Sequence, residues 1–245
     1  MINLKQFLYG TALCVFLPLS ASPLSGLWLA TVEVDKVNEV HSSTNDTQTP
    51  TDVKYTYNLQ YVLHSNASGN PKLLREVYIM QTKGNSNKKR VLVTEQKRWS
   101  DFEGIIRKGD NKLVPVRFTS PSIDFDMTTN IIDLGGILSN SAGSTITSPI
   151  INHSPLHPTN PFRHQFHPNH REGVDINRTF VIKITAPDAK AGTGNTAPNV
   201  GKTSLKGTYT ETVTGLHHLP LKVSGSVILT QISTISTLNP SASGD

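Results

Sequence analysis

Apolar and polar residues alternate with a period of two along most of this chain, and no stretch carries a sustained i, i+3, i+4 apolar pattern. Trp28, Ala30, Val32 and Val34 fall on one face of a strand running from about Gly26 to Val40, and a phase shift near Lys36 predicts a bulge. Tyr55, Tyr57, Leu59, Tyr61 and Leu63 share a face of a second strand. The turn SNASGNP then leads into a third, with Leu73, Val77 and Ile79 in phase through Met80, which makes this pair the best hairpin in the sequence. Shorter strands are predicted over Arg90–Glu95, Gly104–Arg107 and Lys112–Phe118, the last pushed to an edge or a bulge by Pro115. Thr128–Asn140 (TTNIIDLGGILSN) fits a single helical turn cut short by Gly135-Gly136. Regular alternation returns at Thr179–Thr185, Leu205–Thr214 and Leu221–Ile232.

Roughly nine antiparallel strands in one unit predict an all-β fold, either a single β-barrel or a two-sheet sandwich. The segment 139–175 is expected to be one long Pro/His-rich loop without strands of its own, packed through Phe162 and Phe166. Residues 234–245 read as a polar, flexible tail, so the β domain is expected to cover 22–233.

The N-terminus changes the picture by assigning a compartment. Lys5 precedes an apolar run, Phe7–Leu19, too short to span a bilayer, and the small residues Ser20, Ala21 and Ser22 follow. This predicts a signal peptide over 1–21, a secreted or cell-surface protein, and no transmembrane helix. Cys14, the single cysteine, lies inside that run, so the mature chain is disulfide-free and must be held by its own packing. The net charge is +5, with basic clusters at Lys88-Lys89-Arg90 and Lys97-Arg98. No nucleic-acid-binding module accompanies them, and a solvated hairpin turn accounts for them better than a polyanion partner does.

Candidate chemistry concentrates in HSPLHPTNPFRHQFHPNH, where five histidines fall within eighteen residues. His164, His167 and His170 are spaced i, i+3, i+6 and are the candidate ligands for a transition metal, which would make a metal-dependent hydrolase the third reading of function. Pro161 and Pro168 break any helix that would align the three rings, and histidines that cap turns are the default alternative. His217-His218 sit in a predicted hairpin loop. Asp124, Asp126 and Asp133 lack the register of a calcium loop. No G-x-S-x-G, S-x-x-K or Gly-rich phosphate loop occurs.

Gly26-Leu27-Trp28 resembles the G-x-W opening of lipocalin-type barrels, which implies that Trp28 closes one end of a barrel. With Tyr57 and Tyr61 it would then face a small apolar ligand, as in a lipocalin-like carrier. GLWLATVEVDKVNEV, LQYVLHSNASGNPKLLREVYIM, NPFRHQFHPNHREGVDINRTF and LKGTYTETVTGLHHLPLKVSGSVILTQIS together resemble a module of secreted bacterial proteins with an NPFRHxxHPxH loop, to which no activity is assigned. The leading expectation is a secreted, non-catalytic binding or structural module of a bacterial surface or extracellular protein, with an extracellular or surface partner.

Overall fold

A computed structural model describes residues 22–38, 49–84, 86–120, 130–155, 174–188, 197–217 and 219–242. The predicted signal peptide 1–21 with Cys14, His164, His167 and His170, and Asp124 and Asp126, all lie outside the described residues. The elements are β1 (Gly26–Val37), β2 (Thr51–Ser65), β3 (Pro71–Leu74), β4 (Glu76–Thr82), β5 (Arg90–Val93), β6 (Phe102–Glu103), β7 (Ile106–Arg107), β8 (Leu113–Val114), β9 (Val116–Thr119), β10 (Ile131–Asp133), β11 (Gly135–Gly136), β12 (Thr145–Thr147), β13 (Ile151–His153), β14 (Ile176–Pro187), β15 (Ser204–Thr214) and β16 (Leu221–Ser233), with one 3-10 helix at Gln96–Asp101. Among the described residues, no helix is long and apolar enough to cross a membrane.

The main sheet is antiparallel throughout, in the order β10-β3-β2-β1-β16-β15-β14-β12-β11, and β13 joins β12 on the edge of β14. Its two ends, β10 and β11, are separated in the chain by Leu134 alone. One extended segment therefore serves both edges: Ile131–Asp133 pair with β3, and Gly135–Gly136 pair with β12. The sheet all but closes into a barrel in which consecutive strands are neighbours, and full closure is what removes the exposed edges of a sheet. Counting β10–β11 and β12–β13 as single staves, it has eight positions.

The hand-over corner explains its glycines. Gly136 has φ +90°, and a Cβ there would lie 1.9 Å from the Thr145 carbonyl oxygen. Only glycine fits such an approach. The helical turn expected over Thr128–Asn140 is thus replaced, over its described part, by two strands. The Gly-Gly pair that argued against a helix is a barrel corner.

Alternation sends one face of each long strand into the lumen. Trp28, Ala30, Val32 and Val34 of β1, Tyr61 and Leu63 of β2, Phe180, Ile182 and Ile184 of β14, Tyr209 of β15, and Val223, Val227 and Leu229 of β16 form one buried cluster. The bulge expected near Lys36 lies between Val34 and Lys36, against both neighbouring strands. Gly26 opens β1 at φ +112°, where a Cβ would overlap the Ser233 carbonyl. The glycine two residues before Trp28 is therefore required by the close crossing of β16.

Three expectations are corrected. The third strand does not run unbroken to Met80: Arg75 separates β3, in the barrel, from β4, the centre of a smaller sheet carrying β5, β6 and β9. Val77, Ile79 and Leu92 of that sheet pack on the outward-facing Leu27, Val62 and Leu74 of the barrel wall. The supposed strandless loop 139–175 contributes β12 and β13, which form part of the wall. The residues read as a flexible tail are held from Ile235 to Pro240. Ile235 and Leu238 join the same apolar layer, Asn239 donates its amide to Leu92 O at 2.8 Å, and Asn239 Oδ1 accepts from the Thr94 amide at 2.9 Å. His64, buried in this layer, contacts Ile235 O through Nε2 at 3.1 Å, and burial lowers its pKa below the ordinary histidine value.

Trp28 is fully buried in the lumen. Its truncation removes the largest side chain of that core, so Trp28→Ala is expected to cost about 3–5 kcal/mol. Urea unfolding followed by circular dichroism measures this, and an unchanged midpoint would contradict the inward assignment of the β1 face.

Candidate functional site

Inward positions of a barrel strand are expected to be apolar, and most here are. Two are charged. Arg178 precedes Phe180 by one alternation on β14, and Glu211 follows Tyr209 by one on β15. The β14–β15 register sets Phe180 opposite Glu211 and Arg178 opposite Val213, so Arg178 and Glu211 are diagonal neighbours on the inner face. Arg178 Nε donates to Glu211 Oε1 at 2.5 Å, with side chains only 17% and 3% exposed.

Tyr209 OH donates to the other carboxylate oxygen, Glu211 Oε2, at 3.0 Å, and the Tyr61 and Tyr209 hydroxyls lie 2.7 Å apart. A phenol has one proton to give, and that of Tyr209 goes to Glu211. Tyr61 must therefore be the donor to Tyr209. The chain of donation runs Tyr61 to Tyr209 to Glu211, with Arg178 closing it from the other side. Every proton is directed toward the buried carboxylate.

The rings form the second half of the arrangement. Tyr61 stacks on Phe180 at 5.3 Å between centroids with 4° between planes, and Tyr209 lies 5.9 Å from Tyr61 and 6.0 Å from Phe180. Burial, then the negative charge of Glu211, raises the Tyr61 pKa far above the usual phenol value. Burial, then the charges of Tyr61 and Glu211, does the same to Tyr209. Burial works against the Arg178 charge, but the Glu211 carboxylate more than compensates, and the guanidinium pKa is raised. Both phenols therefore stay protonated at neutral pH.

Tyr57 stands on the same face of β2 as Tyr61, two alternations toward the β1–β2 loop, and is 43% exposed. It pairs with Val34, which pairs with Gly225, the partner of Tyr209, so it stands beside the network, and burial of the rest of its ring, then the nearness of Glu211, raises its pKa. Tyr55, 75% exposed, lies in the stretch 53–56 that stands opposite Asp35 alone, where the β1–β2 register shifts. The chain ends that enter the histidine segment, Ser154 after β13 and Val174 before β14, belong to this end of the barrel too.

Trp28 is not part of this constellation. It pairs with Leu63, six residues along β2 from Tyr57, or about 20 Å at strand rise. Of the three residues expected at a ligand, Tyr57 and Tyr61 are brought together, and Trp28 lies near the opposite end. His153 is buried at the end of β13, and His217 is exposed. Among the described residues, no group of three potential metal ligands converges. The basic clusters are largely paired: Lys88 bonds Glu103, Lys97 Nζ lies 2.8 Å from Glu95, and Arg98 donates to Pro240 O at 2.5 Å. Asp133 is paired with Lys72 at 2.7 Å.

Sequence reasoning missed Arg178, Tyr209 and Glu211 as a group. The signal was present, since a glutamate occupies an apolar phase between Tyr209 and Val213. Its arginine partner lies more than thirty residues earlier and becomes visible only through the β14–β15 register.

Compared with known families and curated proteins, the sequence matches no family model and no curated sequence.

Removing one member of a buried ion pair leaves the other uncompensated, whereas replacing both with apolar groups is often tolerated. Arg178→Met alone is expected to destabilise the fold by about 3–5 kcal/mol, and Arg178→Met with Glu211→Leu to recover most of that loss. Chemical denaturation of the two variants checks this, and additive losses would contradict the pairing.

Proposed function

We propose that this protein is an exported, non-catalytic binding or structural module of a bacterial surface or extracellular protein. The observation that carries this reading is the contact between Tyr61 and Phe180. β2 and β14 are four positions apart in an eight-position ring, so these side chains come from opposite walls and meet at 5.3 Å. A lumen bridged at mid-height by stacked rings, with Tyr209 alongside, is filled where a carrier needs a hollow. The protonated phenols and the neutralised Arg178–Glu211 pair fit a rigid frame, because none is set up for proton transfer near pH 7.

The surface that would bind lies at the mouth, where Tyr57 and Tyr55 emerge from the network. Export is supported by the short apolar run Phe7–Leu19 and the small residues after it.

Native mass spectrometry with elemental analysis of untagged mature protein tests the reading. The expected result is a bare polypeptide mass, no stoichiometric transition metal, and no saturable binding of a fluorescent fatty acid. A retained apolar molecule at one per chain would establish the lipocalin-like carrier instead. Stoichiometric zinc or iron would establish the metal-dependent reading of the histidine segment.

A further inference from the structure

We infer that the segment Ile235–Pro240 is an acid-released strap, latched to the barrel wall at neutral pH by His64 and freed when that ring takes up a second proton. The device does not depend on what the mouth of the barrel binds.

The strap clasps two layers together. Ile235 and Leu238 enter the apolar layer that joins the barrel wall to the small sheet. Leu238 bridges to Leu92 in parallel, and Asn239 donates its amide to Leu92 O at 2.8 Å. The Asn239 side chain accepts from the Thr94 amide at 2.9 Å and donates to Thr94 Oγ1 at 2.9 Å. On the barrel side, β2 meets the strap through His64, whose Nε2 lies 3.1 Å from Ile235 O.

That contact fixes the state of the ring. A carbonyl oxygen only accepts, so Nε2 carries the proton, and in the neutral imidazole Nδ1 is left with a lone pair. Nδ1 is buried without a hydrogen-bond partner, and the residue is 1% exposed. A second proton would stand there as an N–H with no acceptor, on a charged ring inside an apolar layer.

The neighbouring groups offer that charge no relief. Lys72, directly opposite His64 on β3, is itself a cation and is bonded to Asp133 of β10 at 2.7 Å. Leu27 stands opposite on β1, and residues 223–240 of β16 and the strap contain no titratable side chain. From the small sheet, Val77, Ile79 and Leu92 face the layer. Glu76 and Arg117 are bonded to each other, and Arg117 lies over Tyr78, which belongs to the other apolar cluster of that sheet. Burial lowers the His64 pKa, the Ile235 hydrogen bond opposes the shift, and Lys72 adds to it.

Release returns the ring to water and to the ordinary histidine pKa of about 6.5, so the open state binds more protons than the closed one. Closure is therefore at full strength above that pH and is lost progressively as pH falls below it.

The test is amide exchange of the mature protein at pH 7.5 and 5.5, read by NMR and corrected for the intrinsic effect of pH. Asn239 is expected to be less protected than the amides of β1 and β16, as part of an element that opens on its own. Its protection is expected to fall about five- to tenfold at the lower pH. His64→Gln keeps a donor for Ile235 O and cannot titrate, and His64→Leu suits the apolar layer. In both, the fall should disappear, and if the glutamine variant fails to fold, the leucine variant carries the comparison. Equal Asn239 protection at the two pH values would overturn the inference. So would a fall that persists in the variants, or exchange of Asn239 only together with β1 and β16.

Discussion

The fold depends on one short segment satisfying two edges at once. Antiparallel sheets expose unpaired N–H and C=O groups wherever they stop, and a long open edge invites pairing with another chain. Here β3 would be one such edge and β12 the other. Ile131–Gly136 covers both, switching partner at the buried Leu134, whose amide donates to Pro71 O at 3.1 Å. Pro71 has no amide proton to give, so its carbonyl is all it contributes to the ladder, and that group is used. Leu138 extends the seal by donating to Gly69 O at 2.8 Å. The corner needs Gly136 because any side chain there would overlap the backbone of Thr145.

Closure fixes what the lumen can hold. Strands that ring a small barrel aim half their side chains at one axis, and eight positions leave an interior just wide enough for those side chains to fill. Tyr61, Phe180 and Tyr209 take up the middle, and Gly207, two residues before Tyr209, lets the β14 backbone come close, since a Cβ there would lie 2.5 Å from the Lys183 carbonyl oxygen. A buried Arg–Glu pair is a poor source of stability compared with apolar packing. Its presence among those rings sets the mouth apart from the rest of the core, which is apolar from Trp28 upward. Tyr57 continues that same face of β2 to the mouth, where it is 43% exposed.

Much of this was legible in the chain. The long strands β1, β2, β14, β15 and β16 follow directly from period-two alternation, and the bulge at Asp35 from a single phase slip. Strands of two or three residues carry too little alternation to register, so β10–β13 read as loop or helical turn, although they complete the wall. Arg75 is an ordinary residue in an alternating run, and nothing local says that the chain changes sheets there. Ile235 and Leu238 sit among Ser and Thr, and their apolar character matters only because the β4 sheet brings Leu92 beside them. Tyr61 was legible as a strand-face residue. Its role as the first donor in a chain ending at Glu211 depends on register across three strands.

Amide hydrogen exchange read by NMR at Leu134 and Leu138 tests closure most directly. If Ile131–Gly136 seals the barrel, both amides exchange as slowly as those of β1 and β16, and only through global unfolding. Exchange at these two sites orders of magnitude faster than in β1 and β16 would show an open edge between β3 and β12, and would contradict the account.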